Sequence, residues 1–177
     1  CGVPISDLMT GMYASVAIVS ALFERTRSGQ GQYIDMSLLD TQVAWLANQA
    51  SNYLVSGTTP KRWGNAHPNL APYQAFAASD GELIVAVGND RQFASLCRVL
   101  GAANLADDER YATNARRLSQ RATLIAALSE LFAKAGKSHW LDELEKAGVP
   151  CGPIQSIPEA LADAQVLARG MVFSLPH

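Results

Sequence analysis

The sequence predicts a mixed α/β protein built in two parts, and three observations predict it. A helical pattern that is apolar nearly all the way round follows Asp7. Two short segments suited to strands flank Ser79-Asp80-Gly81, the signature of a hairpin with a Gly-bearing turn. Between them lies a stretch too rich in Gly, Pro and Asn for either regular structure. The 177 residues, 49% hydrophobic and 17% charged, allow a sizeable core and argue against disorder. Residues 1–60 read as part of one domain, 61–72 as a connecting loop, and 73–177 as a second, smaller α/β domain.

Asp is a favoured N-cap, so Asp7 is expected to start a helix over about 8–27. Ser28-Gly29-Gln30-Gly31 supplies its C-cap and a tight turn. Residues 32–36 alternate and are short, which predicts a strand. A second helix is expected over about 37–55, with Leu39, Val43, Leu46, Ala47 and Ala50 on one stripe, stopped by the run from Ser56 to Pro60. The loop at 61–72 contains Trp63-Gly64-Asn65 and His67-Pro68-Asn69, and long ordered loops of this kind are often functional.

Strands are predicted over 73–78 and 82–87, followed by a helix over 91–100 closed by Gly101. Residues 102–119 read as loop with a short helical piece. Helices then fit 121–133 and 138–146, the second ending at Gly148. The segment 149–154 is bracketed by Pro150 and Pro153 and is rigid for that reason. A short helix over 158–163 and a last strand over 171–175 complete the reading. Trp45 and Trp140 lie in helical patterns and are expected in the core.

Composition excludes several functions. Fourteen Lys and Arg against sixteen Asp and Glu, with no dense basic run, leave no footprint for nucleic acid. Uninterrupted apolar runs fall short of the roughly 18 residues that suggest a membrane span, so no membrane is expected as a partner. Cys1, Cys97 and Cys151 are odd in number and widely spaced, which reads as free thiols in a reducing, cytoplasmic setting rather than a disulfide framework. His67, His139 and His177 show no ligand spacing, so no metal is expected. The chain opens Cys1-Gly2-Val3-Pro4, without Met or a basic leader, and reads as a piece of a longer protein.

Asp7 is the carboxylate of most interest. One reading makes it a cap, its side chain accepting N–H bonds from the first helical turn. The other uses the same position for chemistry, since a helix start orients a carboxylate and favours an anion beside it by about 0.3–1 kcal/mol. Arg116, Arg117 and Arg121 read as a solvated helix face, with phosphate binding as the alternative. Gly29-Gln30-Gly31-Gln32 lacks the third glycine and the Lys–Ser/Thr ending of a phosphate loop and reads as a turn.

Several segments, taken in order, resemble family III CoA-transferases. Asp7-Leu8-Met9-Thr10-Gly11 matches their D-x-x-T-G motif. Glu24 to Gln32, Arg62 to Pro68, Pro72 to Phe76, Asp80-Gly81, Gly88 to Phe93 and Ala147 to Ile154 match too, so the resemblance runs over nearly the whole chain. Asn52-Tyr53-Leu54 and Lys61-Arg62-Trp63-Gly64 look most like the dicarboxylate (glutarate) type.

The resemblance implies that residues 1–60 belong to a Rossmann-like large domain, with an N-terminal half and a C-terminal end lying outside this chain. It implies an enzyme moving CoA between an acyl-CoA and a free carboxylic acid, with Asp7 as the nucleophile that forms the covalent intermediate. Coenzyme A enters as part of the substrate, with no further cofactor. His67 and Asn69 are the implied substrate-binding residues, in the region where relatives carry a shielding glycine-rich loop. An interlocked homodimer is implied, in the cytoplasm or, in a eukaryote, the mitochondrion. Two alternatives stay open: a 2-methylacyl-CoA racemase using the same Asp as a proton-transfer base, and a non-catalytic fragment.

Overall fold

The computed structural model describes residues 2–176, which divide into two compact units, Cys1–Arg62 and Trp63–His177. Cys1 and His177, read above as a free thiol and as a histidine without ligand spacing, lie outside the described residues.

The first unit is helical. Helix α1 spans Ile5–Ser28, with Pro4 at its N-cap and no side-chain cap. Asp7 is therefore not the cap but the third helical residue. Pro4 has φ −73°, and its carbonyl accepts the first helical bond from the Leu8 N–H at 3.1 Å, one turn earlier than a cap at Asp7 would allow. The C-terminus forms as expected: Gly29 is left-handed at φ 71° and its N–H reaches the Arg25 carbonyl at 2.9 Å.

No residue of α1 is buried, although the helix is long and apolar enough to cross a membrane by length and composition. That departs from the reading of the uninterrupted runs. Neutral Thr, Ser, Gly and Tyr break the runs without making the 24-residue helix polar.

The predicted second helix is two: α2 over Leu38–Ala44 and α3 over Ala47–Ser56. Ser37 caps α2, its Oγ accepting from the Asp40 N–H at 3.0 Å. The break falls at Trp45 and Leu46, and Ala47 takes φ 46°, a left-handed conformation that costs a Cβ-bearing residue about 1–2 kcal/mol. A stripe of apolar residues does not report such a break. Trp45 is 42% exposed, contrary to its expected core role. Residues 32–36 form no strand, because no segment of this unit offers a ladder partner.

The second unit has a closed core. Strands β1 (Tyr73–Ala78), β2 (Gly81–Ala86) and β3 (Cys151–Pro153) form an antiparallel sheet in that order. Phe76 pairs with Leu83, and Leu83 with Pro153. The rigid segment at 149–154 thus becomes an edge strand, where a proline's missing N–H is harmless.

Helices α4 (Asp90–Val99), α5 (Ala103–Ala106), α6 (Asn114–Ser119), α7 (Arg121–Phe132) and α8 (Lys137–Lys146) surround this sheet, with a 3-10 turn at Glu109–Tyr111. Leu124, Leu128 and Phe132, spaced by four, lay one face of α7 into the core with Phe76, Leu83 and Val85 from the sheet. Phe132 stacks on Phe76 at 4.7 Å and meets the Trp140 ring edge at 5.6 Å. Trp140 is core, as expected, and its indole N–H donates to the Phe132 carbonyl at 2.8 Å.

The hairpin turn also holds α8. Asp80 Oδ1 accepts from the Lys137 N–H at 2.7 Å, and a Cβ at Gly136 would meet Asp80 Oδ2 at 2.8 Å. Short helices α9 (Ile157–Ala162) and α10 (Ala164–Ala168) end the unit. Ser156 and Glu159 form a complete capping box on α9. Residues 171–175, expected as a strand, form none, and no ladder joins them to the outer edges of β1 or β3.

Candidate functional site

Asp7 sits in the first turn of α1, exposed, and its carboxylate makes no hydrogen bond or ion pair with any described residue. The neighbouring Ser6 and Thr10 hydroxyls are both engaged. Ser6 donates its hydroxyl to Gln42 Oε1 on α2, and Thr10 Oγ1 donates to the Ser6 carbonyl at 2.6 Å. The Thr10 bond closes the first turn, and the Ser6 bond ties that turn to α2. The Ser6 and Asp7 amides precede the first helical bond and have no backbone acceptor among the described residues. A carboxylate that nothing neutralises thus stands beside two free N–H donors on a fixed turn. Such an arrangement can present a nucleophile and receive a developing oxyanion.

His67 and Asn69 lie in the second unit, in a loop bound tightly to that unit's own helices. The His67 N–H donates to the Tyr73 carbonyl at 2.9 Å, and its ring stacks on Tyr73 with centroids 5.2 Å apart. His67 Nδ1 accepts from the Asn69 N–H at 3.1 Å, which selects the tautomer carrying its proton on Nε2. Nε2 has no hydrogen-bond partner among the described residues. Asn69 is exposed, and its carbonyl accepts from Asn114 Nδ2 at 2.8 Å.

Three side chains missed as loop anchors do the holding. Asn114 Oδ1 accepts from the Ala71 N–H at 3.1 Å. Arg117 is 1% exposed; its guanidinium donates to the Ala71 carbonyl at 2.7 Å, the Tyr111 carbonyl at 2.9 Å and Asp90 Oδ1 at 2.7 Å, and lies over the Phe93 ring. Arg121 Nη2 donates to the carbonyls of His67, Pro68 and Leu70 at 2.8, 3.1 and 3.2 Å, with its guanidinium over the Trp63 ring. Desolvation lowers the Arg121 pKa from its ordinary value.

The basic group is therefore not a solvated helix face. Arg117 and Arg121 point inward to backbone carbonyls, and only Arg116 keeps the expected exposure. Arg117 lies in α6 and Arg121 opens α7, so no single helical face joins them and no local signal in the sequence marks their shared role. The Gly88–Phe93 segment is likewise accounted for by structure: Asn89 caps α4 by accepting from the Gln92 N–H, Gln92 Oε1 accepts from the Gly88 N–H, and Asp90 pairs with Arg117. Among the described residues no three His, Cys, Asp or Glu side chains come together as metal ligands.

The family model for CoA-transferase family III matches residues 1–177, and the chain belongs to that family. Succinate–glutarate CoA-transferase from Agrobacterium fabrum is 51% identical over 170 residues, 96% of this chain and 42% of that protein. Human succinyl-CoA:glutarate CoA-transferase is 43% identical over 176 residues, 99% of this chain and 40% of that protein. The crystal structure of a CAIB/BAIF family protein from Brucella suis superposes with TM-score 0.80 at 52% identity, covering 97% of this chain and 45% of that one. Rv3272 from M. tuberculosis, at 21% identity and TM-score 0.82, shares the fold. The chain spans about two fifths of the length of the curated relatives it matches.

Proposed function

We propose that the protein transfers CoA between an acyl-CoA and a free carboxylic acid, a dicarboxylate, through a covalent intermediate on Asp7. The observation that carries this reading is the Asp7-Leu8-Met9-Thr10-Gly11 segment at the start of α1, where the carboxylate is exposed, unpaired and next to two free amides. Transferases acting on succinate and glutarate among its relatives support the dicarboxylate.

In the first step an Asp7 oxygen attacks the thioester carbonyl. A C–O bond forms, the C–S bond breaks, and the CoA thiolate leaves behind an acyl–aspartyl anhydride. The thiolate then attacks the aspartyl carbonyl, releasing the donor acid as its carboxylate and leaving an aspartyl-CoA thioester. The acceptor carboxylate runs the same two steps in reverse and restores Asp7. Carboxylates are weak nucleophiles, so the rate depends on positioning and on donors for each tetrahedral oxyanion; the Ser6 and Asp7 amides are suited to that task.

His67 and Asn69 are assigned to substrate binding, with Nε2–H of His67 as a donor to a carboxylate or thioester oxygen. A homodimer in the cytoplasm, or in the mitochondrion of a eukaryote, completes the reading.

Intact-mass spectrometry after incubation with succinyl-CoA and hydroxylamine tests it. The expected result is a hydroxamate on Asp7, absent in Asp7→Ala together with all transfer. Undiminished transfer by Asp7→Ala sinks the assignment. Incorporation of solvent deuterium at Cα of a 2-methylacyl-CoA, without transfer, turns the reading to a racemase.

A further inference from the structure

Arg121 gathers three backbone carbonyls of one loop onto a single nitrogen. Nη2 meets the His67, Pro68 and Leu70 oxygens within 3.2 Å, and the guanidinium face covers Trp63, which opens the same unit. Among the described residues it has no carboxylate partner, and Nη1 is buried without a hydrogen-bond acceptor. Placing a partly desolvated cation against carbonyl oxygens and a ring opposes its hydration; the return is a fixed backbone path for residues 67–70. That path sets the Asn69 N–H against His67 Nδ1 and the His67 ring against Tyr73. Asn114 holds the adjoining residues from α6 through the Asn69 carbonyl and the Ala71 N–H.

We propose that Arg121 is a positioning residue for the transfer reaction: it fixes the His67–Leu70 turn so that His67 keeps its proton on Nε2 and offers that edge to substrate. The proposal rests on the assignment of His67 to substrate binding. It gives the loop the character of a preset wall rather than a lid. Arg121 reaches substrate only through His67, so its loss and the loss of the imidazole affect the same interaction and do not add.

The test combines a spectroscopic readout with a mutant cycle on the active protein. Histidine side-chain nitrogen NMR of the unsubstituted protein is expected to show His67 as the Nε2–H tautomer. Arg121→Met is expected to give tautomer-averaged His67 signals and faster amide exchange at Asn69, with the far-UV spectrum and the exchange of Leu83 and Leu128 unchanged. Asn114→Ala loosens the same turn from a different anchor and is expected to reproduce the effect, which keeps the test usable if Arg121→Met fails to fold. In steady-state transfer, Arg121→Met is expected to raise KM for the acid several-fold with a smaller change in kcat, and to add nothing on top of His67→Ala.

An unchanged tautomer in both loop variants overturns the clamp. Additive losses in the double mutant overturn action through His67 while leaving its assignment intact. Full activity of His67→Ala removes that assignment, and with it the catalytic meaning of the clamp, whatever the NMR shows.

Discussion

The two units differ in how much of their apolar surface this chain itself covers. In Trp63–His177 the sheet and helices close on Phe76, Leu83, Leu124, Leu128, Phe132 and Leu144, each 2% exposed or less. In Cys1–Arg62 Thr41 is the one buried side chain among the described residues, and Val16, Val19 and Phe23 on α1 are each more than 60% exposed. Within this chain, a core closes where complementary elements lie within reach, as in the second unit. The first unit carries the carboxylate of chemical interest on a helix secured by its own backbone. The second carries its polar loop on a scaffold secured by packing.

Core truncation should break this contrast most sharply. Phe132→Ala removes a fully buried ring in contact with Phe76 and Trp140 and is expected to cost about 3–5 kcal/mol. Val16→Ala, on the exposed surface of α1, is expected to cost under about 0.5 kcal/mol. Denaturant melts of both variants check the pair, and equal losses would remove the distinction between the units.

Arg117→Met is the next largest. It leaves the Ala71 and Tyr111 carbonyls without their donor inside the second unit, and about 3 kcal/mol of destabilisation is expected. Asp90→Asn should cost less, because Asn keeps an Oδ1 acceptor for Arg117 and the side chain is 57% exposed, so water screens the pair.

A smaller effect concerns the closed core itself. Burial is the largest influence on Cys97, opposed by the nearby Arg117 charge and assisted by Asp107, and the thiol is pushed up from 9.0 to about 12. The unfolded chain ionises at this thiol before the folded one does. The stability tied to the neutral Cys97 is therefore complete below pH 9 and drains away as pH rises toward 12. Peptide-resolved alkylation at pH 8 should leave Cys97 unmodified until the unit unfolds, while the half-buried Cys151 reacts slowly.

Ser156→Ala should be the mildest. It removes the capping box on α9 at the edge of the second unit and is expected to cost about 1 kcal/mol, read from the midpoint of a denaturant melt.

Local rules foresaw the hairpin around Ser79-Asp80-Gly81, the stop of α1 at Gly29 and the helix at α7, because turn chemistry and helical period act over a few residues. They missed β3, whose partner β2 lies far earlier in the chain, and the break at Trp45–Leu46, which no propensity marks. They placed strands at 32–36, where alternation is present, and at 171–175, and neither segment has a ladder partner.

At the candidate site the motif singled out Asp7, while the N-cap preference of Asp put it at the cap instead of inside the first turn. His67 and Asn69 came from resemblance. Their anchors Asn114, Arg117 and Arg121 stayed hidden because the hydrogen bonds to them span more than forty residues.

The pairing of Leu83 with Pro153 also imposes an order of events during synthesis. Helix α1 needs only its own residues and can form as soon as they leave the ribosome. The sheet must wait, with β1 and β2 paired and the second edge of β2 open, until Cys151–Pro153 emerges to pair with it. A nascent chain stalled before that point holds a finished α1 and an unfinished second unit. Ribosomal pauses upstream of Pro150 are thus expected to lengthen the interval in which chaperones find Phe76, Leu83 and Val85 uncovered.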